Sequence, residues 1–412
     1  MPFITMNKIV LTGLLLLALG SLKAQTNALS NSPYSAFGIG VPNTFTTGKT
    51  NALGGAGIAL KSDDALNALN PASLGAMPLN HFYFDIGYKA QLFSLSQGSG
   101  SSRQSNSTFS NLALAFPVNK KSAVSIVLAP YSNVGYDITG ISRSIEGSTA
   151  FYTSDITANG SVNSIDLNYG YNFFDRLRLG ITGSYYFGKT EQTEYNSIVG
   201  YALDIQRENR YNGFRLGAGM QFDVTDKISI GSTIKLPTTL ETTQNSIISQ
   251  DYDDDITEET SVKNFELPLE MGFGTEFKFG KSYAVYADYS RKLWSQTEQE
   301  PSLNSYKDQE RFKAGLNFIP RPGGLYYWEN VEYRAGVNYD TGYLNIAGSD
   351  VSSYSLSLGL GLPVSRSGSK INLMYSYGRN GANTNGLLLE HIHSLSINFS
   401  LDGLWFRKPK YN

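Results

Sequence analysis

Few side chains in this 412-residue chain have the chemistry that catalysis or metal binding requires. It contains no cysteine and three histidines, His81, His391 and His393. A chain without cysteine has no disulfide, no thiolate metal site, no cysteine nucleophile and no lipid-modified cysteine. A histidine metal site, or a histidine–serine pair of a hydrolase, would therefore depend on whether the fold brings these three residues together.

An acidic run is the other group with ligand chemistry. Its carboxylates are those of Asp251, Asp253, Asp254, Asp255, Glu258 and Glu259. Clustered oxygen atoms suit calcium, but an EF-hand loop needs glycine where this chain has Ile256 and glutamate where it has Val262. We therefore favour a solvated loop over a calcium site.

Glycines and an Asn-Pro-Ala triplet are concentrated near the N-terminus. The residues that stand out are Gly54, Gly55, Gly57, Asn70, Pro71 and Ala72. A phosphate-binding loop would need a strand before the glycines and a helix after them, and the surrounding sequence has no such pattern. Glycine and alanine instead allow a folded-back segment to pack closely against other backbone. Asp63 and Asp64 predict the start of a short helix over 65–69.

The composition indicates a membrane β-barrel. Charged residues make up 17% of the chain, against about 25% in average soluble domains, and there are 27 Tyr, 22 Phe and 41 Gly. The net charge of −2 gives no general attraction to nucleic acid. Residues 1–24 read as a secretory signal peptide, with Lys8, an apolar core and Ala24 before the cleavage point. After it, no apolar run approaches the roughly 20 residues that a spanning helix requires.

From residue 81 onward, apolar and polar residues alternate. Ile165, Leu167 and Tyr169 share one face of a predicted strand, while Asp166 and Asn168 share the other. Such segments are about 10–15 residues long, which suits strands that cross a bilayer at a tilt. Fourteen of them are predicted, at 81–96, 107–117, 122–137, 161–174, 176–189, 209–223, 227–243, 263–279, 282–294, 308–319, 330–343, 351–363, 370–379 and 390–401.

The connections support a transmembrane barrel. Turns after even-numbered strands are mostly short, whereas those after odd-numbered strands are mostly long and polar, as at 138–160, 190–208, 244–262 and 295–307. Short periplasmic turns and long outer loops are typical of outer membrane barrels. We predict an all-β, fourteen-stranded antiparallel barrel in the bacterial outer membrane, organised as a signal peptide (1–24), an N-terminal plug or hatch (25–80), the barrel (81–401) and a tail (402–412).

This topology separates the histidines. His81 begins the first strand at the periplasmic side, while His391 and His393 begin the last strand at the outer side, about a membrane thickness away. We therefore predict no catalytic residue, no metal site, no cofactor and no enzyme activity.

The layout resembles the FadL-type outer membrane transporters, because an Asn-Pro-Ala motif at Asn70-Pro71-Ala72 and a glycine-rich plug precede fourteen strands. The resemblance implies passive uptake of hydrophobic or amphipathic small molecules such as long-chain fatty acids, through a plugged barrel with a lateral exit in the third strand. PorV-like components of secretion systems share this fold, so a protein-interaction role is the alternative. The expected partners are outer membrane lipids and a hydrophobic ligand or, in the alternative, secretion-system proteins.

This interpretation predicts roles for individual residues. Pro130 cannot donate to a strand ladder, so it predicts a bulge, a kink or a gap in the third strand, and with Gly135 it marks the lateral gate. The apolar side chains predicted to contact a ligand in the lumen are Leu53, Ile58, Tyr83, Phe93, Tyr186 and Tyr286.

Overall fold

A computed structural model describes residues 30, 32–43, 46–198, 201–250, 255–299, 304–346, 348–365, 368–384 and 387–404. Fourteen antiparallel strands form a closed barrel in this part of the chain, and each pairs with the next along the sequence. They are β1 (His81–Gln97), β2 (Gly100–Asn119), β3 (Ser122–Ser144), β4 (Phe151–Asn172), β5 (Leu177–Ile198), β6 (Tyr201–Asp223), β7 (Ile228–Lys235 and Thr238–Gln250), β8 (Ile256–Ser261, Phe265–Leu267 and Glu270–Phe279), β9 (Tyr283–Lys292), β10 (Gln309–Phe318), β11 (Glu332–Asp340), β12 (Ser353–Pro363), β13 (Lys370–Asn380) and β14 (Leu389–Leu404).

The last strand closes the barrel against the first, with Ile86 opposite Phe399. Alternation along each strand separates an apolar outer wall from a polar interior. On β4, Leu167 is 58% exposed on the outside, whereas the neighbouring Asp166 is 5% exposed on the inside. The predicted fourteen-stranded antiparallel barrel is therefore confirmed.

The remaining elements are short. A single helical turn, α1, covers Gly48–Asn51, and a two-residue strand covers Val41–Pro42. Among the described residues, no helix is both long enough and apolar enough to cross a membrane. The 3-10 turns are Pro33–Ala36, Pro71–Ala76, Trp294–Gln296 and Tyr327–Asn330, and a small sheet joins Asn304–Tyr306, Leu344–Ile346 and Ser349–Asp350.

Much of what the sequence predicted as outer loop is strand. The ranges 138–160, 190–208 and 244–262 consist largely of the ends of β3 to β8, which rise as long hairpins. Above the bilayer both faces of a hairpin meet water, so its residues need not alternate, and the sequence pattern could not show these extensions. At the C-terminus β14 continues to Leu404, three residues into the predicted tail, while residues 1–29 and 405–412 lie outside the described part of the chain.

The chain before β1 lies within the barrel. Its residues 46–77, the lower segment, contact inward-facing positions of strands on all sides. Backbone or side chains of Gly48, Leu53, Ile58 and Pro71 approach, respectively, Asn372 of β13, Gly315 of β10, Gly231 of β7 and Gly170 of β4. A segment that meets the inner wall on opposite sides must occupy the interior.

The helix predicted over 65–69 is not formed, and that prediction is wrong. The Leu66 carbonyl accepts a hydrogen bond from Thr47 Oγ1 at 2.6 Å, and Asn67 Nδ2 donates to the carbonyl oxygens of Gly57 and Leu60. Contacts with distant parts of the segment therefore replace the helical hydrogen bonds. The 3-10 turn instead begins after Asn70, at Pro71.

Candidate functional site

The glycine-rich stretch of the lower segment is fixed by charged side chains of the inner wall. Gly57 N and Ile58 N donate to Asp288 Oδ2 of β9 at 2.7 and 3.0 Å. Gly54 has a φ of 67°, and a Cβ at this position would lie 2.6 Å from the Val337 carbonyl oxygen. Glycine is therefore required there by both its backbone angle and the close approach of β11. Gly55 shares the left-handed conformation, with a φ of 76°.

The Asn70-Pro71-Ala72 motif ties the lower segment together and to the wall. Asn70 is fully buried, and its Oδ1 accepts a hydrogen bond from Ala72 N at 3.0 Å. Its Nδ2 donates to the carbonyl oxygens of Ile58, at 2.9 Å, and of Met220 on β6, at 3.0 Å. Pro71 occupies the first position of the 3-10 turn, where its missing N–H costs nothing.

An ion-pair network anchors the start of the lower segment. Lys49 Nζ lies 2.6 Å from Asp64 Oδ1, and Lys370 of β13 lies 3.3 Å from Asp64 Oδ2. Burial of Lys49 lowers its pKa, but the negative charges of Asp64, Glu332 and other neighbours together outweigh burial and raise the pKa well above its usual value. Arg334 of β11 donates to Asn372 Oδ1 at 2.6 Å and pairs with Glu332. Buried ion pairs and hydrogen bonds therefore tie the start of the lower segment to β11 and β13.

Aromatic side chains fill the upper half. The rings of Trp294, Tyr306 and Tyr343 stack on one another with centroid separations of 4.9 to 5.7 Å. They belong to one buried apolar cluster with Ile39 and Tyr34 of the upper segment, residues 32–43. The upper half thus contains an apolar cluster to which the upper segment contributes.

The wall is interrupted between β2 and β3. Their ladder runs from Asn119 opposite Ser122 only to Leu112 opposite Leu128, although β3 stays paired with β4 as far as Ser144. We call this boundary the seam.

Pro130 and Gly135 lie on the β3 side of the seam. A bulge between Pro130 and Ser132 shifts the register against β4. Val41 and Pro42 of the upper segment then pair with Asn133 and Ser132, and Asn43 N donates to the Tyr131 carbonyl at 2.8 Å. Gly135 N donates to Ser35 Oγ at 3.0 Å. The upper segment therefore covers the edge of β3 at the seam.

A cavity of about 340 Å³ lies between the two N-terminal segments and the wall. It reaches the seam at Thr108 and Pro130, and extends across the interior to Arg311 and Asp340. Arg311 Nε donates to Asp340 Oδ2 at 2.6 Å, so these charges are paired. Lys89 of β1 also lines the cavity.

Of the residues predicted from sequence, Gly54, Gly55 and Pro130 line this cavity. The six predicted ligand contacts lie elsewhere and are engaged in packing. Leu53 and Tyr286 share a small buried cluster, and Ile58 meets glycines of β7 and β8. The ring of Tyr186 packs against that of Tyr131, with 4.9 Å between the ring centroids, and Phe93 is buried. The Tyr83 hydroxyl donates a hydrogen bond to the Asp63 carbonyl oxygen at 3.1 Å. No pattern in the sequence pointed to the cavity residues Tyr34, Thr108 and Tyr343.

The histidines are separated as the topology requires. His81 Nδ1 lies 2.7 Å from Asp402 Oδ1 at the periplasmic end, whereas His391 and His393 lie near the outer end of β14. In the described part of the chain, no three histidine or acidic side chains are grouped as metal ligands. Residues 251–254 of the acidic run lie outside it.

Comparison with known proteins agrees with this architecture. A sequence model of the BamG family matches residues 6–412. No curated protein matches the sequence of this chain. Among solved structures, the Pseudomonas putida toluene transporter TodX is 16% identical, with 89% of this chain and 100% of that chain covered and a TM-score of 0.63. The Ralstonia pickettii toluene transporter TbuX is also 16% identical, covering 87% and 98%, with a TM-score of 0.61. A Pseudomonas aeruginosa FadL homologue is 12% identical, covering 88% and 98%, with a TM-score of 0.59.

At such identities these likenesses show a shared fold. The protein shares the closed-barrel fold of these structures, which confirms the predicted architecture, and a barrel with an apolar outer wall agrees with the predicted outer membrane location. Since the family model spans nearly the whole chain, this chain belongs to the BamG family.

Proposed function

We propose that the protein is a passive channel for hydrophobic or amphipathic small molecules, plugged by its lower segment and opening sideways at the seam. The observation that carries this proposal is the cavity, because it reaches the wall at Pro130, where the ladder between β2 and β3 has already ended. A molecule in the cavity could reach the bilayer there without crossing a continuous sheet.

The chemistry of the interior supports an apolar cargo with one polar end. Tyr343, which stacks with Trp294 and Tyr306, lines the cavity. Lys89 lines the cavity, and no side chain in the described part of the chain forms an ion pair with it. Its ammonium group would attract a carboxylate, as in a fatty acid. The proteins with a similar fold include two toluene transporters, and toluene belongs to the same broad class of hydrophobic compounds.

A reversible disulfide between the upper segment and β3 tests the proposed route through the seam. Val41 and Asn133 lie opposite each other in an antiparallel pair, a geometry within reach of a disulfide. Because the natural chain has no cysteine, V41C/N133C would form one defined bond. We expect oxidised V41C/N133C to take up labelled oleate at least tenfold more slowly than the reduced protein, in cells that have no other route for oleate.

The matched control is T193C/Q206C, an opposed pair on β5 and β6 away from the seam. Oxidation of this control should leave oleate uptake unchanged. Equal uptake by oxidised and reduced V41C/N133C would exclude a route through the seam.

A second function, protein binding, is favoured by the outer hairpins. The hairpins of β3 to β6 continue far beyond the apolar belt and carry ion pairs, including Glu194 with Arg143 and Arg207. Such stable polar surfaces suit a protein partner of the secretion-system kind. Stoichiometric co-purification of a second protein, lost when the β5–β6 hairpin is shortened, would support this function, while purification of the intact chain alone would argue against it.

A further inference from the structure

A row of basic and polar side chains crosses the outer wall where β13, β14, β1 and β2 are neighbours. Arg379 lies opposite His391, His391 opposite Ser94, and Ser94 opposite Arg103. Adjacent strands are about 4.8 Å apart, so three strand steps separate the two arginines by about 14 Å. Two arginine side chains across this distance can both reach a headgroup between them.

The row faces outward, directly above the apolar belt. On β14, Ser394 and Ser396 are buried in the interior, whereas the alternate residue Leu395 is 54% exposed. Leu92 of β1, one outward position below Ser94, is 60% exposed. The row therefore lies at the level where lipid headgroups meet acyl chains.

The histidines of this surface are held in place by tyrosines. Tyr377 Oη lies 2.7 Å from His391 Nδ1, and Tyr375 Oη lies 2.9 Å from His393 Nδ1. The rings of Tyr377 and His391 also stack, with 23° between their planes. These contacts occupy Nδ1 and orient each imidazole, so Nε2 is the nitrogen available to a ligand.

The surface carries no compensating negative charge. In the described part of the chain, neither Arg103 nor Arg379 pairs with a carboxylate. Glu390 is close in sequence but faces inward, fully buried, and accepts a hydrogen bond from Ser32 Oγ at 2.5 Å. Elsewhere on the rim arginines are neutralised, as Arg291 is by Asp308 at 2.8 Å. The row is therefore an uncompensated cationic site.

We propose that this row, defined by Arg379, His391, Ser94 and Arg103, binds the phosphate of an anionic membrane lipid whose acyl chains lie on the belt below. Guanidinium groups form paired hydrogen bonds with phosphate, and the serine hydroxyl and histidine Nε2 lie between them as further partners. This inference is independent of the proposed channel function, because it concerns the outside of the wall.

Native mass spectrometry of the full-length protein tests the site. The protein in detergent is incubated with phosphatidic acid or with phosphatidylcholine, and the bound fraction is compared. We expect phosphatidic acid to be retained in preference, and R103Q/R379Q to retain it at least tenfold more weakly. R103K/R379K, which keeps both charges, should recover most of the binding.

The matched control is R210Q/R291Q, which removes two exposed arginines that already pair with Glu208 and Asp308. It should bind phosphatidic acid like the unaltered protein. Heat-dependent migration on gels confirms that each variant forms the barrel. Equal retention by R103Q/R379Q would overturn the proposal, and so would displacement of the lipid by excess inorganic phosphate, since the site would then bind phosphate alone.

Discussion

Replacing Asn70 with alanine should loosen the lower segment without unfolding the barrel. The Asn70 side chain caps the 3-10 turn through Ala72 N and donates to the carbonyl oxygens of Ile58 and Met220. Loss of a cap costs about 1 kcal/mol, and each buried group left without a partner costs about 1–3 kcal/mol. Because Gln221 Nε2 also donates to the Ile58 oxygen at 2.9 Å, that oxygen keeps a partner. Asn70→Ala should therefore weaken docking by about 2–4 kcal/mol.

Hydrogen exchange of the backbone amides measures this effect. An energy of about 2–4 kcal/mol corresponds to exchange roughly thirtyfold to a thousandfold faster, since every 1.4 kcal/mol is a factor of ten. The reporting amides are those of Ser62 and Ser73, whose hydrogen bonds lie within the lower segment. Amides of β1 to β14 should keep their protection.

Asn163→Ala is the control, because Asn163 lies on β4 and its side chain, among the residues that the structure describes, donates only to Ser161 Oγ in its own strand. It should leave exchange in the lower segment unchanged. If Asn70→Ala also left the Ser62 and Ser73 amides within threefold of the natural rate, the interpretation of Asn70 as the anchor of this segment would be refuted.

Three further predictions concern the wall and the cavity. Pro130→Ala should lower oleate uptake while the barrel still assembles, because alanine restores a backbone N–H that can donate a hydrogen bond beside the seam. Unchanged uptake would count against a gate at this position. Gly336→Ala should displace the lower segment, because a Cβ there would overlap Gly54 N, and single-channel recordings should then show a larger conductance than Gly100→Ala, whose added Cβ would come no closer than 3.4 Å to its nearest neighbour, the Gln97 carbonyl oxygen. Lys89→Gln should lower uptake of oleate severalfold but leave toluene uptake unchanged; equal losses for both compounds would show that the Lys89 charge does not select a carboxylate.

The strands that cross the bilayer could be predicted because one physical contrast operates along them. Residues such as Leu167 face the lipid, while Asp166 faces the polar interior. Because successive residues face opposite sides, apolar and polar residues alternate along the sequence with a period of two. All fourteen predicted segments overlap strands of the barrel. The outer hairpins lack the contrast, and so their extent was visible only in the structure.

The course of the N-terminal chain could not be predicted in the same way. Its partners are positions far away in the sequence, such as Asp288 for Gly57 and Asn133 for Val41. One feature of the sequence nevertheless indicated a filled interior. Inward-facing positions of the strands carry glycine where the N-terminal chain approaches the wall. At Gly315, for instance, a Cβ would lie 2.7 Å from Leu53 Cβ. Glycines at inward positions of a barrel are thus a readable sign of a filled interior.

The two N-terminal segments are held by different interactions, and this has a consequence for the proposed route. The lower segment is fixed by buried ion pairs and by Asn70, whose hydrogen bonds cannot be replaced by water while the segment stays in place. The upper segment has no charged side chain. It is held by hydrogen bonds at Ser35 and Asn43 and by apolar side chains such as Ile39.

An apolar cargo can substitute for apolar packing, whereas it cannot substitute for the hydrogen bonds of Asn70 or the charge of Asp64. Entry of such a cargo would therefore compete with the apolar contacts of the upper segment, such as those of Ile39, and leave the lower segment docked. If the upper segment then left the edge of β3, the seam would open toward the bilayer while the lower segment still closed the path to the periplasm.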